Sequence, residues 1–124
     1  MEKVVCDRAP GAIGPYSQAV KVNGFLFSSG QIPINPASGN VEETTIAGQT
    51  KQVCENLQAI AEAAGISLAQ TVKTTCFLAD IADFAAFNEV YAAYFTEKPA
   101  RSCVAVKDLP KGVLCEVEII AALN

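Results

Sequence analysis

The chain has 124 residues, 51% hydrophobic and 18% charged, which suits one folded domain (1–124) with a substantial core and argues against disorder. A formal net charge of −4, with nine Lys and Arg scattered singly, leaves no basic footprint for nucleic acid. Apolar runs are broken by Gly, Pro or charge before a bilayer could be spanned, and the start MEKVVCDRAPGAIG lacks a secretory signal's basic-then-apolar order. The expectation is a soluble, cytoplasmic protein without nucleic-acid or membrane partners.

Near the amino terminus, GAIGPYSQAV sets two glycines and a proline just ahead of Tyr16 and Ser17, suited to close backbone approach or to an ordinary turn. AVKVNGFLFSSG then has Asn23-Gly24 between two apolar stretches, the hairpin signal of a type I′ turn. SSGQIP puts Ser28, Ser29 and Gly30 at a strand end, where hydroxyls and a bare N–H can face a ligand or fill a turn. Pro33, Pro36 and Gly39 mark further turns. From about Thr45 to Ala64 the apolar positions Ile46, Val53, Leu57, Ile60, Ala61 and Ala64 keep helical spacing.

Ser67 opens SLAQTVKTTCFLAD, a turn leading into a strand in which Val72, Thr74, Cys76 and Leu78 alternate with Lys73, Thr75 and Phe77. Asp80 or Asp83 can cap a second helix, whose Phe84, Phe87, Tyr91, Tyr94 and Phe95 recur on nearly one side. Such a stripe is usually core, with a subunit contact as the alternative. PARSCVAVKDLPKGVLCEVEII reads as two more strands joined at Pro110 and Gly112. Two helices over one face of a single sheet make an α+β sandwich. Val104, Val106, Val117 and Ile119 suggest that both faces are apolar, so another subunit is expected to cover the second.

The chain has no histidine, which removes the usual nitrogen ligand of zinc and the base of His-dependent triads. Its five cysteines form no CxxC pair and read as buried thiols of a reducing compartment, implying no structural metal. Cys103 stands apart because it follows Arg101 by two residues and shares its strand face. If the last two strands form an antiparallel hairpin, Arg101 lies opposite Glu116 and Arg101, Cys103 and Glu116 share a face. That arrangement is either an ion pair at a sheet edge or a ligand site. In the second case Arg101 offers its planar fork to a carboxylate, and Glu116 orients water or accepts a proton.

GPYSQAV, FSSGQIP and PARSCVAVKDLPKGVLCEVEI, in this order and spacing, resemble the RidA (YjgF/YER057c/UK114) family over essentially the whole chain. The resemblance implies a chorismate-mutase-like α+β sandwich, one mixed sheet with two helices on one face, assembled as a homotrimer with clefts between subunits. It implies cofactor-free hydrolysis of reactive 2-enamine/2-imino acids, such as 2-iminobutanoate and 2-iminopropanoate, to 2-oxo acids and ammonia. Position by position it makes Arg101 the carboxylate anchor and Glu116 the residue that orients water. Tyr16 and Ser29 become hydroxyls near the reacting nitrogen, and the N–H groups of Gly30 and Cys103 become donors to the ligand. With Arg101 and Glu116 grouped together, each cleft would take Tyr16, Ser29 and Gly30 from one chain and Arg101, Cys103 and Glu116 from its neighbour. A non-catalytic 2-oxo acid sensor, or a chaperone-like or regulatory trimer, is the alternative.

Overall fold

The computed structural model describes all 124 residues and opens with a strand the sequence pattern did not announce, β1 (Glu2–Val4). It pairs antiparallel with β2 (Ala19–Val22), which turns at Asn23-Gly24 into β3 (Phe25–Ser28). Both turn residues take left-handed φ, 51° and 82°, the geometry the dipeptide was expected to supply.

Helix α1 (Ile46–Ala63) starts at Thr45, whose hydroxyl accepts from the Gly48 N–H at 3.0 Å. It buries Val53, Cys54, Leu57, Ile60 and Ala61. β4 (Thr71–Leu78) follows, with a register shift between Thr71 and Lys73. That bulge moves Val72 off the expected alternation and leaves it 42% exposed. Asp80 caps a short 3-10 turn, donated to by the Ala82 N–H, and Asp83 precedes α2 (Phe84–Tyr94) without a side-chain cap. The aromatic stripe divides. Phe87, Tyr91 and Phe95 are buried and stack in sequence, whereas Phe84 stays 38% exposed.

The chain ends in β5 (Ala100–Ala105) and β6 (Cys115–Ala122), and the six strands lie in the order β1-β2-β3-β6-β4-β5. β4 and β5 run parallel across α2, and every other pair is antiparallel, so the sheet is mixed. Both helices cover one face, with Leu26, Cys76, Leu78, Cys115, Val117 and Ile119 beneath them at no more than 1% exposure. Val117 and Ile119, read as half of a two-faced apolar sheet, both belong to this core. The other face nonetheless carries Phe25 at 40%, Phe27 at 38% and Val104 at 47% exposure, and no helix of the chain covers it. No helix is long and apolar enough to cross a membrane.

Removing the Thr45 cap should lower stability measurably. Thr45→Ala is expected to cost about 1 kcal/mol, read as a lower denaturant midpoint at unchanged slope. An unchanged midpoint would mean that the Gly48 N–H is equally well satisfied by water.

Candidate functional site

The first half of the site grows from the end of β3. The Ser29 N–H donates to the Gln18 carbonyl at 2.9 Å and its hydroxyl to the Ser17 carbonyl at 2.6 Å. Gln31 exchanges two backbone hydrogen bonds with Val117, at 2.8 and 3.1 Å. Gly30 is thus clamped between two fixed neighbours, while its own N–H enters no hydrogen bond within the chain. A Cβ at Gly30 would overlap the Glu116 carboxylate, so the missing side chain is what lets that carboxylate lie against the backbone. An open groove of about 580 Å³ runs past Tyr16, Ser29, Gly30, Ile32, Glu116 and Glu118. The Ser29 hydroxyl proton is committed to Ser17, which leaves its oxygen lone pairs for a ligand donor.

Glu116 is half-buried, and this burial raises its carboxyl above the usual range; the neighbouring Glu118 charge pushes the same way. A carboxyl so placed exchanges a proton more readily near neutral pH than an exposed glutamate does.

Arg101 lies elsewhere. β6 pairs with β3 and β4, not with β5, so the hairpin assumed from the sequence does not form. β4 stands between: Arg101 is opposite Thr74, which is opposite Ile119, whereas Glu116 is opposite Phe77, which is opposite Val104. Side chains alternate along a strand, so Arg101 and Cys103 project to the helix side and Glu116 to the other. The shared face expected for these three residues is therefore corrected: Arg101 and Cys103 share one, and Glu116 joins Tyr16, Ser29 and Gly30. The single ion pair in the chain is Arg8 with Glu62, at 3.1 Å, and Arg101 has no carboxylate partner.

What holds Arg101 instead is α2. Its guanidinium donates to the Asn88 Oδ1 at 2.7 Å and lies 5.4 Å from the Phe84 ring centroid and 4.8 Å from that of Tyr91. The Tyr91 hydroxyl is fixed in turn to the Thr74 hydroxyl at 2.7 Å. Asn88 is the residue the sequence reading missed. Its signal was present: Phe84, Asn88 and Tyr91 stand at i, i+4 and i+7, one helix face.

Cys103 is partly buried; desolvation raises its thiol pKa while the Arg101 guanidinium pulls the other way. The Val106 N–H donates to the Leu78 carbonyl, so by strand parity the Cys103 N–H points outward from the open edge of β5, free for a ligand. Cys115, next to Glu116, is fully buried beneath α1 and faces away from the groove.

Residues 6–123 match the family model described as Endoribonuclease L-PSP. The chain belongs to this family, the RidA/YjgF family. One RidA-family relative, the 2-iminobutanoate/2-iminopropanoate deaminase of Escherichia coli K12, is 48% identical over 122 residues, covering 95% of this chain and 94% of that protein. The structure of E. coli TdcF with bound serine superposes with a TM-score of 0.94 at 44% identity, covering 98% of both chains. The E. coli YjgF gene product gives 0.94 at 45% identity, again over 98% of each chain. The RidA/YjgF fold expected from the sequence motifs is the one observed.

Because Glu118 raises the proton affinity of Glu116, Glu118→Gln should lower it. A carboxyl-carbon NMR titration is expected to move the Glu116 midpoint to lower pH in the variant. A midpoint that stays or rises would show that burial alone sets it.

Proposed function

We propose that the protein is a cofactor-free deaminase that hydrolyses small 2-imino acids to 2-oxo acids and ammonia in clefts formed between the subunits of a homotrimer. The observation that carries this reading is the unpaired Arg101 guanidinium, fixed in place by Asn88, Phe84 and Tyr91 with no carboxylate of its own chain. A cation held by neutral partners favours an incoming carboxylate, and the planar fork can take both its oxygens. The deaminase relative and the serine bound to TdcF support a ligand of this class.

One chain keeps the two half-sites on opposite sheet faces, so the cleft requires assembly. Copies of the chain would cover the exposed Phe25, Phe27 and Val104 and bring Arg101 and Cys103 of one subunit against Tyr16, Ser29, Gly30 and Glu116 of the next. This grouping replaces the one drawn from the sequence, because the Glu116 carboxylate lies on Gly30.

The chemistry asks little of the protein. The imine carbon is already electrophilic, so positioning and one oriented water suffice for most of the acceleration. Glu116 takes a proton from the water as its oxygen bonds to the imine carbon. Glu116 passes that proton to the nitrogen, which completes the carbinolamine. The carbinolamine hydroxyl then gives up its proton as the carbonyl forms, and this second proton, relayed through Glu116 or the Tyr16 hydroxyl, lets the nitrogen leave as ammonia. The N–H groups of Gly30 and Cys103 and the Ser29 oxygen hold the ligand's polar atoms while this happens. Acid–base assistance of about 10²–10⁴-fold is enough. The deciding assay generates 2-iminobutanoate in place with a threonine dehydratase. Faster ammonia release supports the enzyme; 2-oxobutanoate binding without turnover would make the protein a sensor instead. An RNA-cleaving role, which the family description raises, is disfavoured by the net charge of −4 and the absence of histidine.

Arg101→Ala should abolish 2-oxobutanoate binding, a loss on the order of 2–5 kcal/mol by calorimetry, and Arg101→Lys should rescue poorly. Glu116→Gln should spare binding and slow turnover. Near-normal affinity in a folded Ala variant would remove the anchor role.

Assembly is tested by mixing. Glu116→Gln and Arg101→Ala proteins, each impaired when refolded alone, should regain activity above either parent when unfolded together and reassembled, because some clefts then receive both intact groups. Mixed trimers confirmed by mass spectrometry that show no such gain would put both residues in one chain's half of the cleft.

A further inference from the structure

Four of the five cysteines gather on the helix side of the sheet: Cys54 on α1, Cys76 on β4, Cys103 on β5 and Cys115 on β6. Three are fully buried, and burial pushes the thiols of Cys76 and Cys115 up to about 12. Cys103 alone is partly exposed. It is also the direct in-register partner of Cys76 across the parallel β4–β5 pair, with both side chains toward the helices. Adjacent strands lie about 4.7–4.9 Å apart, inside the roughly 4.4–6.8 Å that a disulfide spans between Cα atoms. Cys115 faces Leu78 rather than Cys76, a diagonal neighbour and a longer reach.

We propose that Cys103 and Cys76 form a reversible dithiol–disulfide pair, with Cys103 as the thiol that meets an oxidant and Cys76 as the one that resolves it. The Cys103 thiolate attacks one oxygen of a peroxide, breaking the O–O bond and giving a sulfenic acid and water once the departing hydroxide is protonated. The Cys76 sulfur then attacks the sulfenic sulfur and expels its hydroxyl as a second water. Two thiols lose two electrons, and one peroxide gains them. The neighbouring guanidinium favours the Cys103 thiolate, while its partial burial keeps the reaction slower than at an exposed sensor thiol. In-register neighbours at about 4.7–4.9 Å are closer than the roughly 5.5–6 Å that a relaxed disulfide prefers between Cα atoms, which makes the bridge strained and easily reduced.

Relief of that strain shifts the free edge strand against β4 at the residue whose N–H points outward and two residues from Arg101. On the deaminase reading, on which this consequence rests, oxidation moves the ligand donors off their positions. A displacement on the order of 1 Å lowers turnover by up to about 100-fold.

The test treats the reduced full-length protein with hydrogen peroxide, quenches with an alkylating agent in denaturant, where every free thiol reacts, and maps the peptides. The expected result is loss of two free thiols, a Cys76–Cys103 cross-linked peptide, and recovery of five thiols with dithiothreitol. Cys76→Val should keep basal activity yet lose the cross-link, with Cys103 instead advancing to the sulfinic acid. Five thiols still alkylated, a Cys103–Cys103 link between chains, or sulfinic acid at Cys103 with Cys76 intact in the parent protein would each overturn the pair. Mapping reads the bridge independently of catalysis, so a reduced protein without deaminase activity that still cross-links would sink the deaminase reading alone. A cross-linked protein of unchanged turnover would sink the proposed coupling.

Discussion

The alternation of β6 sends Cys115, Val117, Ile119 and Ala121 under the helices and leaves Glu116 and Glu118 on the other face. β6 sits between β3 and β4, so slipping it by one residue would bury two carboxylates and expose the centre of the core. Its register is therefore held firmly, and with it the location of Glu116. The same strand anchors Gln31 through Val117, which sets Gly30 against the carboxylate. Core packing and the chemistry of the groove are consequences of one period-two pattern.

Arg101 is placed by a different logic. The parallel β4–β5 crossover requires α2 to pass over the sheet, and α2 brings Phe84, Asn88 and Tyr91 above the edge strand. An arginine paired to a buried carboxylate would have its charge satisfied before a ligand came. Aromatic faces and one amide oxygen hold the guanidinium's position and orientation but leave its charge uncompensated. Such an arrangement would suit an incoming carboxylate, and no carboxylate of the chain stands within salt-bridge distance of Arg101.

The hairpin turn, both helices, the mixed α+β sandwich and its family were legible in the sequence, because each depends on local pattern: Asn-Gly chemistry, apolar spacing and short motifs. The pairing of the last two strands was not. Sequence adjacency suggested a hairpin, but β6 gains more by entering the sheet between β3 and β4, where its Val117 and Ile119 are fully covered. That single long-range choice moved Glu116 to the face opposite Arg101. Val72 was lost to a bulge and β1 to its three-residue length, both set by pairing partners far along the chain. Asn88 was overlooked because the aromatic stripe around it reads as core, and only the position of β5 reveals what it holds.

Two half-sites on opposite faces of one sheet tie the proposed activity to assembly more tightly than a pocket within one chain would. In such an arrangement dissociation both dismantles every cleft and returns Phe25, Phe27 and Val104 to water. The area that stabilises the oligomer and the geometry that binds the ligand are then the same contact, so ligand and subunit affinity must be thermodynamically linked. A 2-oxo acid that bridges Arg101 of one subunit to the Gly30 N–H of another would strengthen the assembly by its own binding free energy. The open groove beside Glu116 and the unpaired guanidinium beside Asn88 are, on this view, two halves of an interface as much as two halves of an active site.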